Sequence, residues 1–475
     1  MAKLKFKIPV KGGDKIELSV ENIASSGDGI SHYKGYTLFI PVAVGGDRVL
    51  AEVVKTTPRF GVVKIIKLIT PSKKRIQPEC PIYFDCGGCQ LQHISYDEQM
   101  NFKRRVVKDS LERIGKIKIA FEPEIIPARQ PFFYRNKGIF HFKRTREGLR
   151  VGFFAKGTHS VVDIKNCPVL LKPINDIKEA IRKGIEKNNI SVYNEQYHKG
   201  FLRSLIIRES PKTKEILIGL VTTEGNFDEP FINEIAEINN TLKGNYKLVG
   251  IVQNINTKKT NVILGEENRP LWGRDYMNES LGGINYQLSL TSFFQINPYQ
   301  SEILFNLVED MLKGVTGKIV DAYCGIGSMA LRIAKHFNHP LPMREREGVR
   351  GIFVIGIEEN ESAIEDARNS AKRNKINNCS FLSGTTESYL KNFEGASDIG
   401  AIILDPPRKG CSEEALDSIL NIKPEKVIYV SCNPSTLSRD LNKLCQTEYA
   451  IKNIKVIDMF PQTVHMETVV LLEKR

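Results

Sequence analysis

The stretch YVSCNPSTLSRD, residues 429–440, sets a thiol, Cys432, between a serine and an Asn-Pro pair where an apolar run gives out. Upstream, VDAYCGIGSMAL carries a run that ends at Asp321, turns through Gly325 and Gly327 and opens into a helical pattern. Glycine allows close backbone approach to a ligand, and open α/β sheets bind ligands at the carboxyl ends of their strands. The next apolar run, IFVIGIEEN, ends in Glu358, where an acid commonly holds a ribose hydroxyl pair. Both a dinucleotide and S-adenosyl-L-methionine carry the adenosine that such a turn accepts. The third glycine of the dinucleotide fingerprint is missing, because Ser328, Met329 and Ala330 follow Gly327, and this favours the methyl donor. A purely structural turn is the alternative.

A further run, AIILDPPRKGC, ends in Asp405, two prolines and Arg408. Prolines after a strand deny it further ladder donors and fix a rigid turn, which would hold Asp405 at the ligand edge. Amino-group methyltransferases tend to have Asn-Pro-Pro-aromatic here, whereas Asp followed by Arg suits a pyrimidine with ring N–H and carbonyl groups. Most cysteines are small buried hydrophobes, and Cys379, Cys411 and Cys445 are read that way. Cys432 differs, because it shares an edge with a methyl-donor pocket in a turn stiffened by Pro434, and it is a candidate nucleophile. Uracil C5 attacks a methyl sulfonium too weakly on its own. A thiolate adding to C6 creates an enolate whose C5 can do so, after which a base must remove the C5 proton. DMFPQTVHMETVVLLEK offers His465 and Glu467, residue types that both serve as bases, and a solvated strand start is the alternative for each.

Composition bounds the rest. The chain has 475 residues, 41% hydrophobic and 26% charged, the balance of a soluble globular protein of two or three domains. The opening MAKLKFKIPVK lacks the apolar core of a secretory signal, and no apolar run reaches the ~18 residues a membrane span needs, so a cytoplasmic protein without membrane attachment is expected. Net charge is +13, and residues 101–150 hold 14 Lys or Arg against 5 Asp or Glu. Such a run is a solvated face or the footprint of a polyanion such as RNA. Nine cysteines without an export signal argue against a disulfide framework. Cys80, Cys86 and Cys89 form C-x5-C-x2-C, and Cys167 follows in Asn-Cys-Pro.

The elements that must position these residues are legible in outline. The first 70 residues read as four or five short strands cut by turns, which suggests a small barrel. TPSKKRIQPEC reads as a linker, and residues 96–116 as a helix with a basic face. Residues 130–270 mix strand and helix. After 284, strands alternate with helices, which predicts a largely parallel, doubly wound sheet. NHPLPMREREGVR, after Phe337, reads as a surface insertion.

SFFQINPYQ, DAYCGIG, LDPPRKG, YVSCNPSTLSRD and FPQTVHMETV, taken in this order with the cysteine spacing, resemble the RNA uracil-5 methyltransferases, in particular the iron-sulfur branch that modifies 23S rRNA. The resemblance spans nearly the whole chain. It implies an α/β, Rossmann-like doubly wound methyltransferase domain, an N-terminal OB-like TRAM barrel and a central α+β iron-sulfur domain. The divisions would be 1–70 for the RNA-binding barrel, 71–94 with 125–280 for the central domain, and 95–124 with 281–475 for the methyltransferase domain, with which the basic helix would pack. It implies that Gln295, Tyr323, Glu358 and Asp405 contact S-adenosyl-L-methionine around the turn shaped by Gly325 and Gly327. By the same resemblance Cys432 is the nucleophile, Glu467 rather than His465 the base, and Phe293 the aromatic beside the target base. Arg135 would belong to the substrate side.

Cys80, Cys86, Cys89 and Cys167 would hold a 4Fe-4S cluster, as four thiolates can. Zinc also suits four cysteines, but the C-x5-C spacing is looser than the usual zinc pair. A structural or RNA-positioning role is expected for the cluster, since the thiolate mechanism moves no electrons. The C-x3-C-x2-C spacing of radical enzymes is absent. Arg104, Arg105, Arg135, Lys137, Arg144 and Arg146 would hold phosphates by charge, and the target base would be taken from a loop or out of its stack. The expected product is 5-methyluridine in 23S rRNA, with tRNA as the rival substrate and no obligate protein partner evident. Cytosine-5 methylation is disfavoured, because Pro407 stands where such enzymes carry a cysteine. A non-catalytic RNA chaperone on the same fold is the alternative from another class. Ser328 stands where some relatives have Asn, which would alter a donor contact and leave the pocket.

Overall fold

A computed structural model describes residues 8–337, 352–394, 396 and 398–475; the insertion expected at 338–350 lies outside them. The chain forms two compact units. One comprises Met1–Val106, Phe154–His159 and Phe460–His465, the other Val107–Phe153, Ser160–Met459 and Met466–Arg475. Among the described residues no helix is long and apolar enough to cross a membrane.

The first unit is built on six strands, β1 (Lys15–Ser19), β2 (Asn22–Ile23), β3 (Gly29–Tyr33), β4 (Tyr36–Ile40), β5 (Arg48–Thr56) and β6 (Phe60–Thr70). They form one sheet in the order β1-β5-β6-β4-β3-β2. Alternation puts Val49, Ala51 and Val53 of β5 inside with Leu18, Leu38, Ile40 and Val63. Three register shifts bend the β5–β6 pair. The stretch GISHYKGYTLFIPVAV makes a hairpin, which raises the strand count to six. Its turn residues Lys34 and Gly35 both take positive φ, 49° and 79°, as a two-residue hairpin loop requires. Helix α1 (Tyr96–Arg113) starts with Asp97 and Glu98 and ends with Arg113, charges that oppose its dipole. It stops short of residue 116 because the Gly115 N–H bonds the Ser110 carbonyl, five residues back, in place of the next α-helical acceptor at Leu111. Phe460–His465 returns to this unit, where the backbone N–H groups of Gln90 and Leu91 donate to the Gln462 carbonyl at 3.1 and 3.0 Å and Gln99 Nε2 donates to Gln462 Oε1 at 3.0 Å.

In the second unit, β7 (Glu124–Ile126) is followed by β8 (Lys137–Thr145), β9 (Gly148–Phe154), β10 (Val161–Asp163), α2 (Lys172–Lys187), β11 (Leu202–Glu209), β12 (Glu215–Thr222), α3 (Glu229–Glu237), β13 (Lys247–Ile255) and β14 (Glu267–Gly273). Strands β8 to β14 form a seven-stranded sheet in the order β10-β9-β8-β11-β12-β13-β14. The hairpin β15 (Tyr276–Leu281) and β16 (Ile284–Ser289) leads through a loop to α4 (Pro298–Met311). Then come β17 (Lys318–Ala322), α5 (Ser328–His336), β18 (Phe353–Glu358), α6 (Glu361–Arg373), β19 (Cys379–Ser383), α7 (Thr386–Asn392), β20 (Ile399–Leu404), α8 (Glu413–Ile422), β21 (Lys426–Ser431), α9 (Pro434–Cys445), β22 (Tyr449–Ile457) and β23 (Glu467–Lys474).

Their sheet runs β19-β18-β17-β20-β21-β23-β22-β7. The first five strands are parallel, and β23 enters antiparallel between β21 and β22. Val320, Ile357, Ile402, Ile403 and Ile428 are fully buried, as the strands of a sheet covered on both faces must be. This is the expected doubly wound, Rossmann-like architecture, with an antiparallel pair at one end. Several elements went unread, α4 and β7 among them. The alternation of β22 breaks at a bulge between Ile451 and Asn453, β19 and α7 are too short for a clear period, and the Ser/Thr-rich start of α9 resembles a turn.

Gly356 lies within β18, and a Cβ there would meet Phe381 Cδ1 at 2.6 Å and Cys324 Sγ at 2.9 Å. Gly356→Ala is expected to destabilise this unit by about 1–3 kcal/mol through overpacking, read as a lower midpoint of denaturant unfolding. An unchanged midpoint would show that the ring and the thiol relax without cost.

Candidate active site

Register brings the candidate residues to one edge. Ala322 of β17 is aligned with Ile357 of β18 and with Leu404 of β20, and Leu404 is aligned with Tyr429 of β21. Tyr323, Glu358, Asp405 and, three residues past Tyr429, Cys432 therefore leave their strands on the same side. Strand β23 runs the other way and pairs Thr468 with Ser431, so Glu467 enters the sheet where β21 ends.

The glycine turn is shaped by backbone geometry. Gly325 and Gly327 have φ of 55° and 72°, the left-handed region that glycine enters without a Cβ penalty. The Gly325 N–H donates to Glu358 Oε2 at 3.1 Å and the Asn360 N–H to Glu358 Oε1 at 3.0 Å, which fixes that carboxylate. A Cβ on Gly327 would strike the Phe381 ring at 2.6 Å, while one on Gly325 would meet nothing within 4 Å. Gly327 serves packing, and the space over Gly325 is open to a ligand. Tyr323 takes φ of 65°, uncommon for a bulky side chain. Its hydroxyl is engaged by the side chains of Cys411 and Thr386.

Carboxyls are concentrated at this edge, and burial biases them toward their neutral forms. Burial pushes Asp405 up to about 7. Asp321 is pushed up to about 8 by burial, then by Asp405, with Glu358 adding to the effect, and its Oδ2 meets no donor. Glu467, buried at the head of β23, is held well above the usual carboxylate range by burial and by Asp405, against the pull of Arg408. The half-buried Cys432 thiol is raised by burial and by Glu467 and Asp405, with Arg408 opposing. Thiol, Glu467, Asp405 and Arg408 thus form one electrostatic group. An unpartnered carboxyl oxygen among raised carboxyls suits a cationic ligand, and a sulfonium donor is one.

The turn after β20 is stitched to α9. The Arg408 carbonyl accepts from Asn433 Nδ2 at 2.9 Å and Thr436 Oγ1 at 3.3 Å. Arg439 Nη2 donates to the carbonyls of Lys409 and Cys411, each at 3.1 Å. Buried Asp440 accepts from the Cys411 N–H at 2.9 Å, the Tyr429 hydroxyl at 2.6 Å and Arg439 Nε at 2.7 Å. The sequence reading missed Asp440, Arg439 and the side Arg408 faces. One signal was available: Asp440 falls on the apolar stripe of Leu437, Leu441 and Leu444, and a charge on such a stripe needs a buried partner.

Other candidates stand elsewhere. Phe293, 71% exposed, and half-buried Gln295 lie in the loop between β16 and α4. Arg135 precedes β8, and its Nε donates to the Lys137 carbonyl at 3.0 Å. Arg104 and Arg105 are half-buried on α1, while Arg144 and Arg146 are exposed at the β8–β9 turn. His465 belongs to the first unit and Glu467 to the second. Cys80, Cys86 and Cys89 follow one another in the segment between β6 and α1, and Cys167 follows β10. Among the described residues no group of three or more His, Cys, Asp or Glu side chains is arranged to hold a metal ion.

Residues 95–475 match the family model for tRNA (uracil-5-)-methyltransferase. An uncharacterized RNA methyltransferase of Clostridium tetani is 36% identical over 474 residues, 99% of this chain and 98% of that protein. Another from Listeria monocytogenes serovar 1/2a is 37% identical over 98% of each chain. The crystal structure of Pyrococcus abyssi tRNA (uracil-54, C5)-methyltransferase in complex with S-adenosyl-L-homocysteine is 30% identical, with a TM-score of 0.75 over 96% of this chain and 100% of that one. A matched doubly wound domain, a glycine turn beside a fixed carboxylate and full-length likeness to RNA methyltransferases meet in one conclusion: the chain belongs to the tRNA (uracil-5-)-methyltransferase family and is an S-adenosylmethionine-dependent RNA methyltransferase.

Proposed function

We propose that the protein methylates C5 of a uridine in 23S rRNA through a covalent bond between Cys432 Sγ and C6 of the base. The observation that carries this reading is the grouping of Cys432, Glu467, Asp405 and Arg408 at one sheet edge beside the Gly325–Glu358 turn. S-adenosylmethionine supplies an electrophilic methyl on a sulfonium. Glu358 and the Gly325 turn hold its adenosine side, and Tyr323, Asp405 and Gln295 complete the pocket. The Cys432 thiol passes its proton to solvent and adds through sulfur to C6, leaving the enolate electrons on C5, where they would take the methyl as its bond to the sulfonium breaks. Glu467, once it has given its own proton to solvent, takes the C5 proton, and the electron pair released restores the C5–C6 double bond and expels the thiolate. Phe293 lies against the base, and Arg135, Lys137, Arg144 and Arg146 serve the backbone phosphates, with Arg104 and Arg105 doing so from α1. The six-stranded sheet of the first unit is read as a TRAM-like RNA-binding barrel, part of the three-domain division given above, and the activity as cytoplasmic.

A second substrate, tRNA, is favoured by one observation, the 30% identity over nearly the whole chain with the Pyrococcus abyssi enzyme named for tRNA uracil-54. Labelled methyl transfer to unmodified 23S rRNA and to tRNA in parallel separates the two. Label as 5-methyluridine in 23S rRNA supports the first, label in tRNA overturns it and keeps the chemistry, and label in neither overturns both substrates. The 4Fe-4S reading of Cys80, Cys86, Cys89 and Cys167 is likewise a proposal, supported by their spacing. About four irons and four sulfides per chain after anaerobic purification are expected for such a cluster; zinc or no metal would overturn it.

Cys432→Ala is expected to abolish methyl transfer while RNA binding persists, whereas an RNA chaperone would work unchanged. Glu467→Gln is expected to stall after methyl transfer, seen as an RNA–protein adduct stable to denaturing gels.

Charge makes a pH prediction. Asp405 sits at about 7 when folded against about 3.9 in an unfolded chain. Its contribution is fully present below the unfolded value and is lost as pH rises to about 7. Asp405→Asn is therefore expected to raise Tm more at pH 8 than at pH 5 in the absence of cofactor, while weakening methyl-donor binding. An equal gain at both pH values would contradict the burial of this carboxyl.

A further inference from the structure

A second group of buried ionisable side chains lies behind the loop that carries Phe293 and Gln295. Arg208, near the end of β11, is 4% exposed, and its Nη2 donates to the Ser292 carbonyl. Its Nε has no acceptor. Beside it a small cavity is lined by Lys137, Arg208, Glu209, Glu279 and Phe294 among others. The two acids do not pair with the guanidinium. Glu279 Oε1 accepts from Ser210 Oγ at 2.6 Å and from the Ser280 N–H at 2.9 Å, while its Oε2 lacks a donor and the Glu209 carboxyl faces the Tyr246 hydroxyl. Burial pushes both carboxyls up to about 7 and holds Arg208 down at about 10, so the guanidinium stays charged at neutral pH.

Burying a guanidinium with incomplete partners costs stability. What it holds is specific. At the far end of the same loop the Asn136 N–H donates to the Ile296 carbonyl at 3.0 Å, and the Asn136 carbonyl accepts from the Glu209 N–H at 2.9 Å. Strands β8 and β11, in which Lys137 and Arg208 are aligned, thus grip residues 292 and 296 together. Phe294, 7% exposed, faces the cavity between those grips, while Phe293 is 71% exposed. Ser292 Oγ adds a third tie, donating to Asp366 Oδ2 of α6 at 2.9 Å.

We propose that Arg208 is a positioning residue for the reaction, clamping Ser292 so that Phe293 and Gln295 are presented on the side opposite Phe294, toward base and methyl donor. The consequence for catalysis rests on the proposed roles of Phe293 and Gln295; the clamp itself does not.

Hydrogen exchange over residues 293–296 and steady-state kinetics with S-adenosylmethionine and substrate RNA, on full-length Arg208→Gln and Arg208→Lys, test it. Arg208→Gln is expected to speed exchange in the loop about tenfold without altering β17 to β21, and to lower kcat by about 10- to 100-fold with a raised KM for S-adenosylmethionine, the scale expected of a small misplacement. Arg208→Lys, which keeps a charged donor, is expected to recover part of both. A merely structural role would lower the active fraction and Tm and leave KM unchanged. Asp366→Asn, which loosens the same loop through Ser292 Oγ, is expected to act in the same direction more weakly, and remains informative if the Arg208 variants do not fold. Loop exchange unchanged in the folded variants overturns the clamp. Faster exchange with unchanged kcat and KM overturns the positioning role, and a wild-type protein that methylates no uridine defeats the functional reading while exchange still judges the clamp.

Discussion

Hydrogen-bond register between β17, β20 and β21 is the constraint on which the site depends. Parallel strands aligned as Ala322, Leu404 and Tyr429 leave the sheet at one level, so residues more than a hundred positions apart arrive side by side without a dedicated scaffold. A one-residue slip would turn every side chain of a strand to the other face. The fully buried Val320, Ile402 and Ile428 resist that slip, because both faces of the sheet are covered. The core therefore fixes the level at which the thiol and the carboxyls meet. Antiparallel β23 extends the same logic, with Thr468 paired to Ser431 and Glu467 placed beside the end of β21.

Register sets the level, and side-chain ties set the aim. Asp440 gathers three donors from β21, α9 and the turn after β20, each bond charge-assisted on the acceptor side and stronger than a neutral pair. The Arg408 carbonyl is held from α9 as well. Two loops that bear candidate residues are thus braced against one helix. Arg208 supplies the comparable tie for the loop after β16, from the other sheet of the same unit.

Much of this was legible because residues that do chemistry at strand ends announce themselves. A thiol before Asn-Pro, an Asp before Pro-Pro and two glycines after an apolar run all break the strand pattern, and all fall at the same edge. The five parallel strands were readable in kind except short β19. What stayed hidden was pairing at a distance. Arg208 is one of many basic residues until Ser292, 84 positions later, is seen to accept from it. Asp440 reads as the polar end of an amphipathic helix until Cys411, 29 positions earlier, is placed on it. Neither periodicity nor propensity carries that information. Insertion of β23 between β21 and β22 was equally unreadable, since local pattern does not state strand order.

The row of carboxyls at the strand ends has a consequence for turnover. Asp321, Asp405 and Glu467 all resist ionisation because they are buried close together. A sulfonium bound beside them would draw them toward their ionised forms, and giving up its methyl turns it into a neutral thioether. On the proposed reading of this pocket, the electrostatic attraction between the carboxyls and the sulfonium would be cancelled by the reaction itself, leaving the spent molecule without that part of its hold.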